Sequence, residues 1–163
     1  MEITFAPRGI LQIDDAMIRS KNFSGRADEY NREGDRNFIW VIPTVELYER
    51  LKNEGWAVRY NEPREEGDTP FMFLPVKVKY FENGDGPTVS LVSGNSRRLL
   101  TEETIGILDN IEIEYIEMDI RPYRWKFNNK TGITAQLKGM EVTQKLDRFA
   151  ARFTNFDPEG IDG

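Results

Sequence analysis

The stretch Arg121-Pro122-Tyr123-Arg124-Trp125-Lys126-Phe127 alternates aromatic and cationic side chains. In an extended chain Tyr123, Trp125 and Phe127 point one way, and Arg124 and Lys126 the other. Exposed aromatic faces can stack on unpaired bases, and the cations can neutralise phosphates. The competing reading puts the three aromatics in a core and the cations on a solvated face. Lys130 and Lys138 follow closely and extend the positive charge.

A second group lies between Phe23 and Arg36. Phe23, Arg26, Tyr30 and Arg32 sit among polar residues and glycines, and Arg36 stands where that loop ends. Aromatics between cations in a polar loop suit the clamping of a strand, although they suit simple loop packing equally well. Lys77 and Lys79 alternate with Val76, Val78 and Tyr80 and form a basic strip on one strand face. Phe38 and Trp40 share a face with Ile42 and read as core.

The 163 residues contain no cysteine and no histidine. Disulfides, thiolate metal sites, cysteine nucleophiles and histidine bases are therefore excluded. The expectation is a binding protein and not an enzyme, with no cofactor and no bound metal. Glu112, Glu114, Glu117 and Asp119, with Asp14-Asp15, could be imagined as a two-metal site. Glu112 and Glu114 fall on an outward strand face, however, so a solvated acidic rim is the expected role. Lys130-Thr131 lacks the glycines of a phosphate loop.

The net charge is −6, from 22 basic and 28 acidic residues. Its distribution is uneven. Arg121, Arg124, Lys126, Lys130, Lys138, Lys145, Arg148 and Arg152 face only Glu141 and Asp147 within their segment, whereas Leu99 to Ile120 holds seven acids and no base. A basic C-terminal third on an acidic body confines any anion-binding face to one region. There is no long apolar run for a membrane helix, and the first residues do not resemble a secretory leader.

These side chains need a scaffold. Gly9 to Arg19 predicts a strand whose apolar phase slips at Asp14-Asp15, which implies a bulge. Asn37 to Ile42 predicts a strand ended by Pro43. Thr44 to Glu54 predicts a helix capped by Thr44 and stopped by Gly55, with Val45, Leu47, Tyr48 and Leu51 on its apolar face. Trp56 to Tyr60 predicts a short strand. Phe71 to Phe81 predicts a long one, with Thr88 to Ser93 folding back on it through the turn at residues 83–86. Thr101 to Leu108 predicts a short helix. Ile111 to Ile120 predicts a second strand with a phase slip. Tyr123 to Phe127 and Ile133 to Thr143 predict a hairpin about a turn at residues 128–132, and a short helix is expected from Gln144. Two long strands that change face suit a small barrel better than an open sheet, with a β-sandwich as the alternative. The expected fold is mainly β, a five-stranded Greek-key barrel with short helical insertions, forming one domain over residues 1–153 and a flexible tail over 154–163.

The segments FSG and NREGDRNF, EGWAVRYNEPREEGD, VKVKY, LTEETIGILDN and IRPYRWKFNNKTGITAQLKGMEVT together resemble a family of bacteriophage single-stranded DNA-binding proteins. The resemblance runs from about Ile10 to Thr143. It implies an oligonucleotide-binding (OB) barrel that coats single strands without sequence preference in phage replication or recombination, inside the cytoplasm of an infected or lysogenic bacterium. It implies single-stranded DNA as the partner. Phage replication or recombination proteins and further copies of the chain are candidate partners, and a membrane is not. The residues expected to bind, on their own chemistry, are Phe23, Arg26, Tyr30, Arg32, Arg36, Lys77, Lys79, Arg121, Tyr123, Arg124, Trp125, Lys126, Lys130 and Lys138. The alternatives are a phage structural or assembly β-domain, which would show no preference for single strands, and a magnesium-dependent nuclease.

Overall fold

The phase slip at Asp14-Asp15 is a kink that decides the topology. In the computed structural model, which describes residues 1–68 and 70–146, β1 (Glu2–Phe5) is followed by β2 (Leu11–Asp14) and β3 (Ile18–Asn22). Asp15 between the last two has φ 54°, a left-handed conformation that aspartate tolerates better than most residues. The two arms then join different neighbours. The Ala16 N–H donates to Ile116 O at 3.0 Å, and Met17 O accepts from the Val41 N–H at 2.9 Å.

From β2 the sheet passes antiparallel to β9 (Ile113–Phe127) and then to β10 (Lys130–Gln144). It continues in parallel to β6 (Phe71–Val78), then antiparallel to β4 (Arg36–Val41), and ends on β3. The path thus returns to the kinked segment where it began, which is the strand order of an OB barrel. No ladder joins β2 to β3, so the sheet stays open there and residues 15–17 link its two sides only through the chain. The mainly β reading holds, but the described residues form a ten-stranded sheet in place of a closed five-stranded barrel.

Helix α1 (Val45–Glu54) has the expected caps. Thr44 Oγ1 accepts from the Leu47 N–H at 3.2 Å, and Gly55 at φ 101° closes the last turn onto Leu51 O and Lys52 O. Leu47, Tyr48 and Leu51 are buried, whereas Val45, in the first turn, is half exposed. Beyond Ala135↔Val76, strands β10 and β6 separate, and the chain after the helix fills the gap. Gly55 and Ala57 bond the backbone of Ile133, while β5 (Arg59–Asn61) pairs with β6.

Four sequence expectations change. Thr88–Ser93, strand β7, does not fold back on β6, because β4 occupies one edge of β6 while β10 and β5 share the other. It lies parallel to β10 and forms a hairpin with an unanticipated strand, β8 (Ser96–Leu100). The helix expected from Thr101 is a turn followed by a 3-10 helix, Ile105–Asn110, burying Ile105 and Leu108. Residues 113–127 form one strand, not two. Pro122 is tolerated because β2 ends opposite Ile120, leaving that edge of β9 free. The second phase slip matches a register shift near Glu114. Gln144 belongs to β10, and the expected C-terminal helix and tail otherwise lie outside the described residues.

The core gathers Trp40, Phe38, Phe23, Leu74, Val76, Ile120 and Leu137, all at most 3% exposed. Burying a large apolar side chain contributes about 1.5–3 kcal/mol, so these residues hold the sheet together.

Candidate nucleic-acid interface

Past Pro122 and Ala135, β9 and β10 continue as a hairpin arm. Its turn is two residues, Asn128 and Asn129 at φ 48° and 65°, shorter than the expected 128–132. Asparagine accepts both left-handed positions, as this type of tight turn requires. Directly opposed residues share a face. Tyr123/Thr134, Trp125/Gly132 and Phe127/Lys130 therefore lie on one side, and Arg124/Ile133 and Lys126/Thr131 on the other.

The alternative of aromatics versus core is decided by exposure. Tyr123 is 55%, Trp125 39% and Phe127 70% exposed. The core face of β9 belongs to the other parity, Ile116, Met118 and Ile120. Trp125 is partly covered because its indole lies on Gly132, where a Cβ would overlap the ring. Gly132→Ala should push the indole off its seat. The expected readout is a changed tryptophan emission and several-fold weaker nucleic-acid binding, with the melting temperature nearly kept. Unchanged emission and affinity would mean that the indole is not held there.

The same side of the sheet continues as a polar row, Arg121 opposite Gln136, Gln136 opposite Lys77, Lys77 opposite Asn37 and Asn37 opposite Asn22; Gln136 and Asn22 are buried in it, and Arg121 and Lys77 are exposed. Arg121 Nε donates to Gln136 Oε1 at 3.1 Å, and its guanidinium lies 6.0 Å from the centre of the exposed Phe81 ring. Further along β6, Phe73 and Phe71 share the parity of Lys77. Their rings stack at 5.0 Å, and the Arg19 guanidinium sits 5.3 Å above Phe71. Arg59 opposes Phe73 on this face. Sequence reasoning missed Arg19, Arg59, Phe71 and Phe73. The signal was present, since Met72, Leu74 and Val76 claim the core and leave the odd positions of β6 outward.

The other expected residues separate into groups. Phe23 contradicts the clamping expectation: it is fully buried, its ring stacks on Phe38 at 5.4 Å, and its N–H donates to Asp109 Oδ1 at 2.8 Å. It anchors the loop. Arg26, Tyr30 and Arg32 are exposed on that loop, which Asn31 ties by donating to the carbonyls of Arg26, Arg32 and Asp35. Arg36, Lys77 and Lys79 line one cleft with Arg32. Lys138 is the extra residue of a bulge on β10 and is exposed. Arg124 and Lys126 project from the reverse of the arm, so they do not share the aromatic face.

Charge changes along β9 itself. Glu117 and Asp119 share the parity of Arg121, and Asp14 and Glu141 flank Glu117. A phosphate backbone is repelled at that end and drawn toward Arg121 and the arm. A cleft of about 860 Å³ lies elsewhere. Its walls include Met17, Ile18, Val41 and Ile113, with Asp15, Glu112 and Glu114 set against Lys21 and Lys145, and Lys21 is already held by the carbonyls of Leu108 and Ile111. Among the described residues no group of carboxylates is placed to hold a metal ion, and no helix is long and apolar enough to cross a membrane.

The family model of a phage ssDNA-binding domain matches residues 3–160. Among solved structures, the single-stranded DNA-binding protein from bacteriophage Enc34 in complex with ssDNA superposes with a TM-score of 0.55 at 12% identity, covering 90% of this chain and 93% of that one. A second structure of the single-stranded DNA-binding protein from bacteriophage Enc34 gives a TM-score of 0.55 at 10% identity, covering 99% of this chain and 94% of that one. No curated protein sequence matches the chain.

Proposed function

The chain belongs to the phage ssDNA-binding domain family, and from that premise we propose that it coats single-stranded DNA along the outer face running from the arm over β10 and β6. The observation that carries this path is the exposure of Tyr123, Trp125 and Phe127 on the face that also holds Arg121 and Lys130. Aromatic faces stack on any base, so such a path reads no sequence. Lys77, Lys130, Arg121, Arg19 and Arg59 offer the phosphate contacts. A duplex hides its base faces and cannot use the aromatics. Coating of this kind serves replication or recombination of the phage genome inside the host cell, where single strands are exposed. The Enc34 protein named in complex with ssDNA supports the same reading.

A salt titration tests the path. With about four to six cations on phosphates, the log–log slope of affinity against salt should lie near −3 to −4, at roughly −0.7 per phosphate for single strands. Lys77→Ala and Lys130→Ala should each flatten it by roughly 0.7. Lys126→Ala, on the reverse of the arm, should leave it nearly unchanged. Flattening by Lys126→Ala alone would put the strand on the other face.

A further inference from the structure

A cleft of about 470 Å³ opens where the loop preceding β4 meets the end of β6, lined by Arg32, Asp35, Arg36, Lys77, Lys79, Tyr80 and Glu102 among others. Asp35 pairs with Arg32 at 3.7 Å, so cations still outnumber acids there, yet the most enclosed of them, Arg36, is poorly satisfied. The Arg36 side chain is only 18% exposed, and its Nη1 lies 3.6 Å from Glu102 Oε1. Its Nη2 reaches Glu102 O at 3.4 Å, and its Nε has no partner. The Tyr80 hydroxyl is buried and also unpartnered, with the Arg36 guanidinium 5.5 Å from the centre of its ring. Burial raises the Tyr80 pKa, against the pull of the Arg36 charge, so the hydroxyl keeps its proton at neutral pH.

The unfilled donors beside this long ion pair leave Arg36 with capacity for a second acceptor. Buried donors without acceptors cost free energy until one is supplied. A guanidinium fork and a hydroxyl fit a tetrahedral oxyanion better than a single distant carboxylate oxygen. Lys77 belongs both to this cleft and to the polar row on the outer face, so a strand on that face passes the opening.

We propose that this cleft seats a backbone phosphodiester of the bound strand, and that Glu102 occupies Arg36 in the free protein and must be displaced. The inference rests on the coating path above and adds a competing intramolecular anion to it. Arg36 then contributes to affinity only after the exchange, and Glu102 sets part of the resistance to binding.

Binding of fluorescent oligo-dT to the full chain, with a thermal melt of each variant, tests it. Glu102→Gln should bind about two- to five-fold tighter, the scale of one partly exposed ion pair, and the gain should vanish in Arg36→Ala/Glu102→Gln. Tyr80→Phe removes an unpaired hydroxyl, so its melt should hold or improve while affinity falls several-fold. That variant keeps the test sharp if loss of Arg36 harms folding. Wild-type binding with no gain in Glu102→Gln and no loss in Tyr80→Phe would overturn the inference and leave the path standing. A gain that persists without Arg36 would assign the effect to net charge and overturn it too. Absence of oligo-dT binding by every variant would fell the path and the inference together.

Discussion

Trp125→Ala is expected to weaken single-stranded DNA binding by about 1–3 kcal/mol, the loss found when one stacking aromatic is removed. That is about 5- to 150-fold in dissociation constant. The melting temperature should barely move. Trp125 is 39% exposed and its indole rests on a glycine of the arm, so its removal opens no cavity in the core. A core tryptophan behaves differently: Trp40, fully buried, should cost about 3–5 kcal/mol of stability on truncation. A titration and a melt on the same Trp125 variant separate the two cases. A large fall in melting temperature with affinity kept below it would make Trp125 structural.

Phe23→Ala should do the opposite. The ring is fully buried against Phe38, so truncation should cost about 3–5 kcal/mol of stability, a large share of the roughly 5–15 kcal/mol of a typical domain. Well below its lowered melting point the variant should still bind DNA, because Phe23 offers no face to a base. Tyr30→Ala, at 92% exposure on the same loop, should leave the melt unchanged. A Phe23 variant of normal stability but weak binding would restore this residue to the strand path.

The contrast between Phe23 and Trp125 shows where sequence reasoning reaches. Both are aromatics among polar and charged neighbours. Alternation along Tyr123 to Phe127 assigned faces correctly, because parity in a strand is local. Which face meets the core depended on Ile116, Met118 and Ile120, and past the slip near Glu114 that parity runs unbroken along β9 to Phe127. For Phe23 the deciding partners are remote, since Phe38 lies on another strand and Asp109 lies 86 positions along the chain. Nothing within the loop marks either contact.

The same distinction governs the fold. Thr44 and Gly55 cap α1 by local hydrogen bonds and conformation, and Asp14-Asp15 announces its kink by a change of phase. The parallel pairings of β10 with β6 and β7 leave no local mark. Thr88–Ser93 therefore read as a hairpin partner of β6, when the free edge available to it belongs to β10. Strand β8, Ser-Arg-Arg-Leu-Leu, has neither alternation nor β-branched residues, and its pairing comes from β7 across the turn at Gly94-Asn95. Phe71 and Phe73 were legible as strand residues, but their place beside Arg19 and Arg59 needed the register of β5 and the position of β3.

The most direct test of the account is a binding competition at fixed low salt between a single-stranded oligonucleotide and its own duplex, repeated with strands of unrelated sequence. Exposed aromatics that stack on unpaired bases predict that the single strands are bound at protein concentrations where the duplex stays free, with little difference between sequences. Equal affinity for the duplex, or binding confined to one sequence, would contradict the claim that Tyr123, Trp125 and Phe127 form a stacking path for single-stranded DNA.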